Sequence, residues 1–172
     1  MKKIIALLLI ITTLGVILCS CGVAGTTETK KDIETARSEM YNDYTEIYFK
    51  RVTGDLNLES YYMYVSLASN SDQYSKKTYE EKAKTYFDES VSYWDVLMKT
   101  IEKMHDLYND YPEYFVAQKE GIEKLSSIHD VSMTNAKQAK KTEDQAKVID
   151  KFFDDISSWY DTYKDVFSSL DK

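Results

Sequence analysis

A chain of 172 residues with 29 acidic and 22 basic side chains carries a formal net charge of −7 at neutral pH. That balance excludes the basic patch with which a nucleic-acid site neutralises phosphate, and it disfavours a protein body lying flat on anionic lipid. One Pro and five Gly leave little material for turns and strands, so the composition points to helices.

Residues 1–20 read as an export signal. Lys2 and Lys3 give a positive start, and Ile4 to Leu18 form an apolar stretch broken only by Thr12, Thr13 and Gly15. Such a stretch is too short for a membrane span, and small residues follow it. Its tail, Leu18-Cys19-Ser20-Cys21, resembles the lipobox of bacterial lipoproteins, where Leu stands three places before a Cys and a small residue one place before it. Cys19 fits that pattern poorly, because the residue before it is the bulky Leu18. The resemblance implies cleavage before Cys21 and diacylglycerol on its sulfur, with or without an N-acyl lipid. It implies a protein anchored in the cell membrane and facing outside the cytoplasm. Removing the signal takes away two basic residues and no acidic one, so the mature chain becomes more acidic still. Both cysteines of the chain lie here, so no disulfide is expected beyond Cys21. Small exported domains often rely on disulfides, whereas this one has to be held by packing. About 150 residues suffice for one domain, since a chain of that size buries roughly 68–70% of its unfolded surface.

Gly22 to Glu28 are small and polar and read, with Cys21, as a tether. Residues 29–172 then read as a helical bundle. Thr29 with Asp32, Thr78 with Glu81, and Thr142 with Gln145 resemble capping boxes, in which a side-chain oxygen accepts from an orphan backbone N–H. Asp110 with Glu113 repeats the pattern, with Pro112 in the first turn, where its missing N–H costs nothing. Heptad stripes support four segments. The first carries Ile33, Met40, Ile47, Tyr61 and Ala68, with Tyr44, Leu58 and Val65 on the complementary position. The second carries Phe87, Trp94, Ile101 and Tyr108, with Ala83, Leu97 and Met104. The third is weaker, with Phe115, Ile122, Leu125, Ile128 and Ala136, and Gly121 interrupts it. The fourth is the widest: Ile149, Ile156, Tyr163 and Leu170 are flanked by Phe152, Trp159 and Val166 on one side and Phe153, Tyr160 and Phe167 on the other. This is the broad stripe of a buried bundle helix, not a narrow coiled-coil seam.

Short connections make the expected fold all-α, an antiparallel up-down four-helix bundle. The first helix is expected to be continuous or kinked through Gly54, at roughly 58 Å from Lys30 to Ala68. A split at Gly54, capped by Asp55, would make five helices.

Few residues suggest chemistry. Glu102 and His105 share one helical face, as in the Glu-x-x-His pairs of di-metal bundles, but those sites need a second copy and two further Glu. The other histidine, His129, has Ser126 three residues before it. No metal site, no cofactor and no enzymatic activity are therefore expected. The 15 tyrosines are more suggestive. Tyr61, Tyr62 and Tyr64 spread around one turn, so they do not all face the core, and Tyr62 is a candidate partner contact. Up-down topology also gathers Lys76, Lys77, Lys140 and Lys141 at the tip remote from Cys21. Lysines in a last helical turn are also favoured by the helix dipole alone. The sequence thus suggests a membrane-anchored helical lipoprotein that binds a protein or envelope component without catalysis. Its alternatives are a protective lipoprotein of immunity or phage-exclusion type and a small-molecule- or metal-binding bundle. No pattern in the chain fixes an oligomeric state.

Overall fold

The computed structural model describes the backbone of residues 2–171 and the side chains of residues 32–171. It holds four helices: α1 (Lys2–Ser69), α2 (Gln73–Asp110), α3 (Lys119–Gln138) and α4 (Thr142–Ser168), with a 3-10 turn at Ser169–Asp171. No strand occurs among the described residues. The chain divides into two compact units, Met1–Arg37 and Ser38–Lys172. The first is helical backbone of α1. The expected signal peptide, Cys21 and the tether fall on residues whose side chains lie outside the described ones.

The second unit is the antiparallel up-down four-helix bundle. Between α1 and α2, Lys103 reaches Asp43, Ser90 reaches Gly54, and Phe87 packs on Tyr61, so the two helices run in opposite directions. Between α2 and α3, Trp94 Nε1 donates to Ser132 Oγ at 3.0 Å. Between α3 and α4, Trp159 Nε1 donates to the Gly121 carbonyl at 2.7 Å. The ring of helices closes between α4 and α1. There Tyr44 is sandwiched by the rings of Tyr160 and Phe167, with centroids 5.1 and 5.3 Å away, and the edge of Trp159 meets it.

The core is built from the expected stripes. Met40, Ile47, Leu58, Leu97, Met104, Phe115, Leu125 and Phe167 are fully buried, and Phe152, Phe153, Ile156 and Trp159 nearly so. Ile33, Trp94, Tyr108, Ala136, Tyr160, Tyr163 and Val166 are only half-buried at the margins of their stripes, and Val65 is 39% exposed. Gly54 does not break α1. A Cβ there would lie 2.5 Å from Phe153 Cζ and 3.0 Å from Tyr93 Cβ, so its missing side chain is what lets α2 and α4 approach. Gly121 plays the same part in α3, where a Cβ would meet Phe167 Cε2 at 2.8 Å.

Helix starts differ from the capping boxes. The cap of α2 is Asp72, whose Oδ1 accepts from the N–H groups of Tyr74 and Ser75, both at 2.9 Å. These bonds to the charged form hold its carboxyl below the usual range. Thr78 is therefore inside α2, not at its start. Asp110 closes α2 and does not open α3. Pro112 stands just beyond the C-cap Tyr111, a place suited to a residue that cannot continue a helix. Residues 111–118 are turns, pinned to the bundle by fully buried Phe115 and by Gln118, whose Nε2 donates to the Val166 carbonyl at 3.0 Å. Thr142 is the first residue of α4, with Lys141 as its cap.

Phe152→Ala is expected to cost about 3–5 kcal/mol, the range for deleting a buried ring from a packed core. Trp159→Phe removes the bond to the Gly121 carbonyl, which is left unsatisfied, and part of a buried ring, and is expected to cost at least about 1–3 kcal/mol. Urea unfolding followed by circular dichroism measures both.

Candidate functional site

The end of the bundle holding the α1–α2 and α3–α4 connections carries a groove of about 580 Å³. Its floor is apolar: Tyr61, Val65 and Ala68 from α1, Ala83 and Phe87 from α2. Lys76, Glu80, Lys84 and Asp88 rim it, and Thr142 of α4 closes one end. The exposure of Val65 follows from this placement. The groove lies between α1 and α2 beside the start of α4 at Thr142.

The residues singled out from sequence fall around this tip. Lys76 lines the groove and pairs with Glu80 at 3.9 Å, and Lys77 pairs with Glu81 at 3.9 Å. Both are i, i+4 pairs in water, worth little energetically but enough to dilute their charge. Lys140 and Lys141 are exposed in the α3–α4 connection and have no ion-pair partner among the described residues. Exposed Lys137, in the last turn of α3, likewise has no ion-pair partner among the described residues. Tyr62 is half-buried, its ring 5.2 Å from that of Tyr61. Burial first, then the charge of Asp150, pushes its hydroxyl up to about 12. It presents a neutral ring edge, not a free side chain. The sequence reading did not single out Tyr74, which is 94% exposed in the first turn of α2. Its place beside a cap was the available signal, since early helical positions next to a connection rarely reach a core.

A second cleft of about 190 Å³ lies between α2 and α3, lined by Ile101, Glu102, His105, Ser126, His129 and Asp130. Sequence spacing kept His129 apart from Glu102, but antiparallel packing brings them together. His129 Nε2 is 3.3 Å from Glu102 Oε1, and its Nδ1 is 3.0 Å from Asp130 Oδ1. His105 Nδ1 is 3.1 Å from Asn109 Nδ2. Among the described residues no group of three or more His, Cys, Asp or Glu is arranged to hold a metal ion. The hydrogen bonds of the cleft stay within single helices, and His129 Nε2, buried beside Glu102, has no hydrogen-bond partner.

One buried charged pair stands out. Asp43 on α1 has a side chain only 6% exposed, and its Oδ1 accepts from Lys103 Nζ at 3.0 Å. Its second oxygen, Oδ2, is buried without a hydrogen-bond partner. Burial raises the Asp43 carboxyl above its ordinary value despite the opposing pull of Lys103. The bond to Asp43 raises the Lys103 ammonium.

No family model matches this chain, and no curated protein or solved structure shows a significant match to it. The functional reading therefore rests on the molecule's own surfaces. Among the described residues no helix is long and apolar enough to cross a membrane.

The Asp43–Lys103 pair gives a pH prediction. A carboxyl raised in the folded state favours folding most in acid, and that contribution is lost as pH rises from its ordinary value through its folded one. A raised ammonium contributes fully below its ordinary value and loses that contribution only as alkali reaches its folded value. Lys103 is the cation that meets this buried carboxyl. Lys103→Ala is thus expected to destabilise the protein at neutral pH, and less so in acid where Asp43 is protonated. Asp43→Asn, which removes the buried charge, is expected to cost less than Lys103→Ala at neutral pH. Urea midpoints at the two pH values check both.

Proposed function

We propose that this protein is a lipid-anchored helical module that holds its tip away from the membrane and binds a protein or envelope component there, without catalysis. The anchor in this reading is diacylglycerol on Cys21, supported by the Leu18-Cys19-Ser20-Cys21 pattern behind an export signal. Two acyl chains on one residue give stable membrane attachment where a single chain would be marginal. The acidic body then stays off anionic lipid, and the remote tip is the end that meets other molecules.

The observation that carries the binding role is the tip groove. An apolar floor with a mixed charged rim is the anatomy of a docking site, in which a buried apolar anchor supplies affinity and the rim sets orientation. Its floor takes one large apolar side chain of a partner. Lys140 and Lys141, free of internal pairing, favour a partner with an acidic group next to that anchor.

Two outcomes test the reading. Cys21→Ser is expected to abolish lipid labelling and signal cleavage in the host, and Cys19→Ser to leave both intact; the reverse pattern would assign the anchor to Cys19. Val65→Asp, and separately Lys140→Glu with Lys141→Glu, are expected to reduce cross-linking to the host partner while helix content is unchanged. Control substitution of Asp154, on exposed α4 surface, is expected to leave cross-linking intact. Undiminished cross-linking by both tip variants would remove the tip from the partner site.

A further inference from the structure

The outward face of α1 is unlike the rest of the bundle surface. Eleven residues between Asn42 and Ser69 are exposed, and only Glu59 among them is charged. On α4, by contrast, nine of fourteen exposed residues are charged. Phe49, Leu56 and Met63, spaced by seven, are 62%, 57% and 50% exposed, and Leu67 continues their line at 41%. Residues three, four and seven apart share one side of a helix. These four therefore form an apolar stripe opposite the core stripe, beginning and ending within the bundle unit.

Three hydroxyls along this side of α1 are turned back on their own helix. The hydroxyls of Thr45, Thr53 and Ser60 donate to the carbonyls of Tyr41, Phe49 and Leu56, each at 2.9 Å. These three donors are satisfied without water, so covering them strands none of the three. A face that carries an apolar stripe and almost no charge is suited to being covered.

We propose that the cover is a second copy of this chain, paired through the α1 face about a two-fold axis at Leu56. Charge selects this occupant. The chain carries −7, so two copies repel over most of their surface, and the α1 face is where they meet almost without like-charge contact. A two-fold contact uses the same patch on both partners, and Leu56 lies midway between Phe49 and Met63, so it meets its own copy. The seven-residue spacing is the repeat by which paired helices stay in contact. A lipid surface fits less well. Helices that lie on membranes carry Lys and Arg beside the apolar stripe, whereas the exposed charge here is Glu59. This surface is separate from the tip groove, so either proposal stands or falls without the other.

Sedimentation equilibrium of the full chain in density-matched detergent tests the pairing. The wild type is expected to show the mass of two chains. Leu56→Glu and Leu56→Lys, each placing like charges against each other on the axis, are each expected to show the mass of one chain with unchanged helix content. An equimolar mixture of the two variants is expected to regain the two-chain mass, because Glu then faces Lys. A wild type with the mass of one chain overturns the proposal. So does a two-chain mass that persists in both variants, or a mixture that stays monomeric. Wild-type monomer that binds neutral lipid vesicles, and loses that binding in Leu56→Glu, would assign the face to lipid instead.

Discussion

The bundle depends on the fit of α4's rings into two glycine notches. Phe153 fills the space left by the missing side chain of Gly54 on α1, and Phe167 with Tyr163 fills that at Gly121 on α3. Each notch is also tied by a side-chain donor to the glycine carbonyl, Ser90 at Gly54 and Trp159 at Gly121. Backbone and ring approach at the same point from two helices. Without a disulfide among the described residues, this interlock replaces covalent cross-links in fixing how α1, α3 and α4 stand against each other. Close-packed interiors tolerate extra volume poorly, so the notches also set register along the helix axes.

From that register follow the features with functional weight. With Gly54 against Phe153, α1 must turn its core stripe toward α2 and α4, and Phe49, Leu56 and Met63 are left facing outward. The groove over Tyr61, Val65 and Phe87 lies where the end of α1 meets the starts of α2 and α4. It also carries His129 across to Glu102. The surfaces are consequences of how rings and glycines settle the interior.

Much of the fold was legible in the sequence because it is written in heptads. The stripes through Met40, Ile47, Leu58, Leu97, Met104, Phe152, Phe153 and Trp159 are the core, and α1 passes through Gly54 without a break. Boundaries were less legible. A capping box at Thr78 is a local pattern that any helix interior can contain, whereas Asp72 gains its role from two backbone N–H groups presented to it. Pro112 fits either side of a helix boundary, and the burial of Phe115 and Gln118 placed it after α2. Lys76 was legible as a residue of the tip, but its pairing with Glu80 was not. Val65 has the spacing of a core residue; its exposure comes from its place in the groove beside the starts of α2 and α4. The outer stripe of α1 was overlooked because the inner stripe already explained the helix, and two apolar stripes on one helix separate only once the packed face is known.

The interlock is tested most directly by a double-mutant cycle on Gly54 and Phe153, read by urea unfolding. In the wild-type background a Cβ at Gly54 collides with the Phe153 ring, so Gly54→Ala should destabilise the protein. In a Phe153→Ala background the closest collision is gone and only the tight approach to Tyr93 Cβ at 3.0 Å remains, so the same change should cost much less, offset further by the gain of about 1 kcal/mol that Ala holds over Gly in a helix. A Gly54→Ala effect of the same sign and size in both backgrounds would show that Gly54 and Phe153 do not interlock, and that the helices are positioned by some other contact.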